Sequence, residues 1–107
     1  MSEPALDLSE IVGLYKEDAR RSVGNMRAAL EHWDELAQGG PACKEMRKLS
    51  HQLRGSGRTY GFHNVTRIGK ALEHLTQKLE AGKIPTDARL RNVMLAYVER
   101  LAAIFQA

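Results

Sequence analysis

The chain has 107 residues, of which 43% are hydrophobic and 27% charged, and its formal net charge is +3. This length predicts one domain, residues 1–107, and the hydrophobic content argues against disorder over most of it. A single cysteine, Cys43, excludes an internal disulfide and a cysteine-based zinc site, and its position predicts a small buried side chain near a helix start. Acidic residues interrupt the N-terminal segment, so we expect neither a signal peptide nor a membrane anchor, and a cytoplasmic protein.

The first half of the chain predicts two helices. The first extends from about residue 8 to residue 36, because apolar residues recur there every three or four positions. Asp7 followed by Glu10 resembles an N-terminal capping box. The sequence Gly39-Gly40-Pro41 ends this helix and opens the second, since proline suits the first helical position. The second helix is expected to continue to about Tyr60, with an interruption at Gly61.

The second half predicts two more helices and completes the fold class. The third spans about residues 63–81, with Gly82 as its C-terminal cap. Thr86 is expected to cap the fourth, whose apolar positions are Leu90, Val93, Met94, Tyr97, Leu101 and Ile104. Four amphipathic helices joined by short turns predict an all-α fold, an antiparallel up-down four-helix bundle.

The second helix has a polar face with a histidine at its centre. At about 100° per residue, Gly55 lies about 40° from His51, and the apolar residues Leu49 and Leu53 lie on the opposite side. His51 is therefore expected to point out of the bundle. It is flanked by a basic strip that consists of Arg47, Lys48, Arg54 and Arg58. Taken alone, this pattern is typical of an ordinary solvated histidine.

Two glycines beside this histidine need a separate explanation. Glycine inside a helix costs roughly 1 kcal/mol relative to alanine, so Gly55 and Gly57 weaken the second helix. Gly55 lies on the histidine face, where a missing side chain lets another molecule approach. Gly57 lies towards the inner flank and indicates close contact between helices. Ser56 is expected to point inward and to bond a backbone carbonyl one turn back.

An exposed imidazole in such surroundings suits phosphoryl chemistry. A neutral imidazole is both a competent nucleophile and a leaving group. The cations of the basic strip would stabilise a phosphoryl group attached to it.

The stretch HQLRGSGRTYGFHNVTRIGKALE, residues 51–73, resembles the motif of the histidine phosphotransfer (HPt) domain. The resemblance implies that His51 is the phosphorylated residue. Arg54 stands where the family usually has lysine, and it would hold the phosphoryl oxygens, a contact that arginine makes well. Gly55 would leave room for the partner. Arg47, Lys48 and Arg58 would join Gly55 in docking that partner.

The resemblance also implies the partner and the mechanism. The partner would be a response-regulator receiver domain, free or part of a hybrid sensor kinase. Its aspartate would exchange a phosphoryl group reversibly with His51, and the partner would supply the magnesium ion. The chain would be a monomeric phosphocarrier that is not an enzyme. It would need no cofactor or metal of its own. We expect no ATP site either, because "GSGR" is too short for a phosphate-binding loop and lacks the Walker lysine pattern. We expect no contact with nucleic acid or membrane.

Two alternatives compete with this interpretation. The sequence pI of about 9.2 and the basic strip would also suit a small nucleic-acid-binding domain, although no helix-turn-helix pairing is evident. A plain adaptor bundle would explain the helices, but not the glycines beside His51. Of the remaining histidines, His63 and His74 lie about 16 Å apart along one helix and cannot share a metal ion.

Overall fold

The structure is a computed structural model that describes residues 7–106 as an all-α bundle, and this part of the chain contains no strand. Four long helices and one short helix follow one another. They are α1 (Leu8–Glu31), α2 (Trp33–Ala37), α3 (Pro41–Tyr60), α4 (His63–Glu80) and α5 (Ala88–Gln106). The predicted fold class is confirmed. None of these helices is long and apolar enough to cross a membrane.

Most helix ends lie where the sequence predicts them. The carboxylate of Asp7 accepts a hydrogen bond from the backbone N–H of Glu10 at 2.8 Å and caps α1. Pro41 opens α3. Gly61 ends α3 with φ 81°, and Gly82 follows α4 with φ 68°. These are left-handed conformations that glycine adopts without steric cost.

Two ends differ from the prediction. The first helix breaks at His32, whose backbone leaves the helical region (φ −103°, ψ 53°), so the expected single helix becomes α1 and α2. The short α2 carries Leu36 fully into the core. At the start of α5, the side chain of Asp87, and not that of Thr86, accepts the hydrogen bond from the N–H of Leu90. A carboxylate at this position also complements the helix dipole.

The core lies along the inner faces of the helices. Its fully buried large side chains include Met26 and Leu30 of α1, Met46 of α3, Leu72 of α4 and Leu101 of α5. Cys43 is buried as expected, and burial raises the pKa of its thiol. Of the apolar positions expected on the last helix, Val93 is exposed, and Val98 and Phe105 are buried on the core side of α5.

An aromatic cluster joins three parts of the chain at one end of the bundle. The rings of Tyr15 and Tyr60 stack with centroids 4.4 Å apart, and Phe62 and Phe105 pack beside Tyr15. The hydroxyl of Ser56 donates to the hydroxyl of Tyr15 at 3.1 Å. This cluster fixes α1 and α5 against the turn between α3 and α4.

Candidate functional site

His51 lies on the outer face of α3, and 72% of its side chain is exposed. Its neighbours on the opposite face, Leu49 and Leu53, are buried in the core. The expectation that this imidazole points out of the bundle is therefore met in the structure.

One nitrogen of the exposed ring is held by a buried acid. Nδ1 of His51 lies 2.6 Å from Oε2 of Glu73, a residue of α4 whose side chain is only 9% exposed. A carboxylate can only accept a hydrogen bond, so the proton belongs to Nδ1. In the neutral ring, Nε2 then carries the lone pair and faces away from Glu73. The site thus presents a nucleophilic nitrogen in a fixed orientation.

The second oxygen of Glu73 is bound by the arginine one turn after His51. Nη1 of Arg54 donates to Oε1 of Glu73 at 3.0 Å. A carboxylate this buried needs such partners, because an unpaired charge in the interior is costly. The resemblance to the HPt motif implied a role for Arg54 towards the phosphoryl group only. In the structure it also fixes the acid that orients His51.

Close packing of α3 on α4 places Glu73 at this point. A Cβ atom on Gly57 would lie 2.9 Å from the backbone nitrogen of Thr66. A Cβ atom on Gly69 would lie 2.8 Å from the backbone nitrogen of Arg54. The two helices can approach this closely only because both positions lack a side chain. Gly69 precedes Glu73 by about one turn, so the contact beside Arg54 brings the carboxylate to the imidazole.

The predicted docking residues of α3 lie around His51 and differ in their exposure and in their ion pairing. Gly55 is exposed, and a Cβ atom there would meet nothing within 4 Å. Lys48 and Arg58 are exposed. Arg47 is half-buried, and its Nε lies 3.0 Å from Oε2 of Glu80, close enough for an ion pair although without hydrogen-bond geometry. Three of the four are therefore open to a partner, whereas Arg47 is partly engaged.

Shallow cavities flank His51 on both sides. One, of about 390 Å³, lies between the first half of α3 and the second half of α4, and its cationic side chains are Lys44, Arg47 and Lys48. The other, of about 600 Å³, lies between the second half of α3 and the first half of α4. It contains His63, Arg67 and Lys70, which were not among the predicted docking residues. Their spacing, which places all three on one face of α4, was the signal available in the sequence.

Other chemistry-bearing residues lie apart from this site. His32 and His74 are exposed, and Cys43 is buried beside the carbonyl oxygen of Thr76. Among residues 7–106, no three histidine, cysteine, aspartate or glutamate side chains cluster in a way that could hold a metal ion.

The fold and the site define a helical bundle with an exposed histidine, His51, whose Nδ1 is hydrogen-bonded to the carboxylate of Glu73. Comparison with protein families assigns such a bundle to a known class: the model of the Hpt domain matches residues 10–104. The chain therefore belongs to the Hpt family, whose members are phosphocarriers that transfer phosphoryl groups on histidine in phosphorelays and interact with response regulators. Searches of curated proteins and of solved structures found no match.

Proposed function

We propose that the chain is a phosphorelay intermediate that exchanges a phosphoryl group between Nε2 of His51 and the aspartate of a response-regulator receiver domain. The observation that carries this proposal is the 2.6 Å contact between Nδ1 of His51 and Glu73 on an otherwise exposed ring. It leaves the lone pair of Nε2 free and directed away from the bundle.

The transfer proceeds without a base from this chain. The lone pair of Nε2 attacks the phosphorus of the partner's aspartyl phosphate, and the bond from phosphorus to the carboxyl oxygen breaks. Its electron pair remains on the aspartate, which leaves as a carboxylate. The ring gains positive charge, which the adjacent carboxylate of Glu73 stabilises through the Nδ1 proton. The reverse attack by the aspartate returns the phosphoryl group and restores the neutral ring.

Cations beside His51 stabilise the charge of the phosphoryl oxygens. Arg54 has guanidinium N–H groups besides the one bound to Glu73, so it can serve both the acid and the phosphoryl group. Lys48 and Arg58 are exposed on the same strip and add favourable long-range attraction. The magnesium ion and its carboxylate ligands belong to the partner. Catalysis by this chain consists of positioning and charge stabilisation.

We further propose that residues 1–107 act as one monomeric, cytoplasmic domain without an ATP site, and that the chain binds no nucleic acid. The Hpt match over most of the chain supports the single unit. The glycine-rich stretch at residues 55–57 lies inside α3 and does not form a phosphate-binding loop, which supports the lack of an ATP site. Incubation with ATP and magnesium should therefore leave the chain unlabelled.

The experiment that tests the function is transfer from a phosphorylated receiver domain. The wild-type chain should acquire phosphate that is labile in acid and stable in alkali, as expected of phosphohistidine. His51→Gln should acquire none. His74→Gln, which alters another exposed histidine, is the matched control and should behave as wild type. Phosphate that persists on His51→Gln would place the reaction at another residue.

A further inference from the structure

The positive charge of the chain is concentrated in the two helices that form the site. Residues 41–80, from the start of α3 to the end of α4, contain eight lysine and arginine residues and three acidic residues, a net charge of +5. The rest of the chain contains eight lysine and arginine residues and ten acidic residues, a net charge of −2. The formal net charge of +3 for the whole chain is therefore smaller than the net positive charge carried by α3 and α4 together.

The larger cavity beside His51 is the most uniformly cationic part of this face. We name it the α4 trough. Its α4 wall carries the basic residues His63, Arg67 and Lys70 beside Thr66, and its α3 wall carries Arg54 and Arg58 beside His51 and Gly55. None of the residues that line it is acidic. Arg58, Arg67 and Lys70 form no ion pair with another residue in the range 7–106. Their charges are thus available to a partner.

The groove on the other side of α3 has a different character. It lies between α1 and α3 and is lined by apolar side chains such as Ile11 and Leu14, with Asp18 as its charged residue. No cation lines it. A partner centred over His51 therefore meets a neutral to acidic surface on the α1 side and a cationic surface on the α4 side.

The geometry of the α4 wall sets the size of the matching surface. His63, Arg67 and Lys70 lie on one face of α4 and span about 10 Å along its axis. Their exposed side chains form a strip that is longer than the single phosphoryl group on His51 can contact. A phosphoryl site alone does not account for these cations.

We propose that the α4 trough binds an acidic patch on the receiver domain, adjacent to its phosphoacceptor aspartate, and that this contact selects the partner. The inference rests on the proposed function and specifies the partner's surface. Charges at the rim of an interface act mainly on the rate of encounter and on the exclusion of partners that lack the complementary charge. Arg67 and Lys70 are accordingly specificity-determining residues rather than participants in the transfer.

The test is the dependence of the transfer rate on the concentration of the chain, with a phosphorylated receiver domain as donor. The double variant Arg67→Ala/Lys70→Ala removes two cations from the trough. The matched control, Lys83→Ala/Arg89→Ala, removes two exposed cations from the loop after α4 and the start of α5. We expect the trough variant to need about tenfold more chain for half-maximal rate at low salt, with an unchanged maximal rate. The difference should shrink at about 0.5 M salt, where screening is strong.

Each outcome has one meaning. Equal concentration dependence for the two double variants, with normal transfer by the wild type, overturns the trough and leaves the proposed function standing. No transfer from any receiver to the wild type overturns the proposed function and the trough together. Salt-sensitive binding of the wild type to duplex DNA, lost in the trough variant, would show that the trough binds nucleic acid and would also overturn the proposal.

Discussion

Gly69 of α4 lies directly against the backbone of Arg54 of α3. A Cβ atom at position 69 would be 2.8 Å from the nitrogen of Arg54 and 3.0 Å from the carbonyl oxygen of Ser50. Ser50 directly precedes His51 in the chain, and Arg54 follows it by about one helical turn. The packing of one glycine thus sets the distance between the exposed histidine and the acid of the neighbouring helix.

Substitution of this glycine should separate the two helices. Gly69→Ala places a methyl group against backbone atoms that cannot rotate away, and we expect a loss of about 1–3 kcal/mol in the free energy of unfolding. Gly55→Ala is the matched control, since its methyl group meets open space and gains up to about 1 kcal/mol of helix propensity. Urea unfolding of both variants measures the difference. A Gly69→Ala protein as stable as Gly55→Ala would show that the contact at Gly69 does not limit the distance between α3 and α4.

A bulky side chain at position 55 should block the partner without harming the fold. Gly55→Leu projects into the space beside His51 that the partner must occupy. We expect transfer from a phosphorylated receiver to fall at least about tenfold, while the urea midpoint stays at or above that of wild type. Labelling by phosphoramidate, a donor small enough to bypass the obstruction, should continue. Normal transfer from the receiver would mean that the partner approaches from another side.

Glu73 should determine which nitrogen of His51 carries the proton. In the wild type we expect the Nδ1–H form in the neutral ring, and its share should fall in Glu73→Ala because the acceptor is gone. The charged hydrogen bond is worth about 1.5–3 kcal/mol, so transfer should slow by at least about tenfold in Glu73→Ala. Glu73→Gln, which keeps an acceptor oxygen, should lose less. Long-range proton–nitrogen NMR spectra of the ring report the tautomer.

An unchanged tautomer in Glu73→Ala would contradict this role of the acid. A slower transfer with an unchanged tautomer would assign Glu73 to the support of Arg54 instead, since Arg54 loses its 3.0 Å partner in the same variant. The tautomer of Arg54→Ala separates these two effects. The contact between His51 and Glu73 remains available in this variant, so the Nδ1–H form should persist although transfer slows with the loss of Arg54.

Cys43 should be unreactive in the folded protein. Its side chain is fully buried, and burial raises the pKa of the thiol above its usual value of 9.0, so little thiolate forms at neutral pH. A thiol reagent should label the chain slowly in buffer and rapidly in urea. Fast stoichiometric labelling of the folded chain would show that the core around Cys43, near the start of α3, opens readily.

The sequence was most informative where a single residue determines the local backbone conformation. Gly61 and Gly82 adopt positive φ angles at helix ends, and Pro41 opens α3, as their chemistry requires. The outward position of His51 followed from the helical period alone. In contrast, the break at His32 carries no glycine or proline, so no local signal marks it.

The parts of the site that were missed depend on contacts between helices. Glu73 is part of the stretch that resembles the Hpt motif, but its contact with His51 crosses from α4 to α3 and depends on how closely Gly69 lets the helices pack. The same holds for Arg67 and Lys70, which become part of the trough only when α4 lies beside α3. On α5, both Val93 and Val98 fit an apolar stripe, and only the packing decides that Val98 is buried.

The role of His51 as phosphoacceptor can be read from the position of the phosphoryl group on its imidazole ring. Phosphorus and nitrogen NMR spectra of the chain, phosphorylated by a receiver domain and labelled with nitrogen-15, identify the ring nitrogen bonded to phosphorus. We expect a bond from phosphorus to Nε2 of His51, with the proton retained on Nδ1 beside Glu73. A phosphoryl group on Nδ1, or on any other residue, would contradict it.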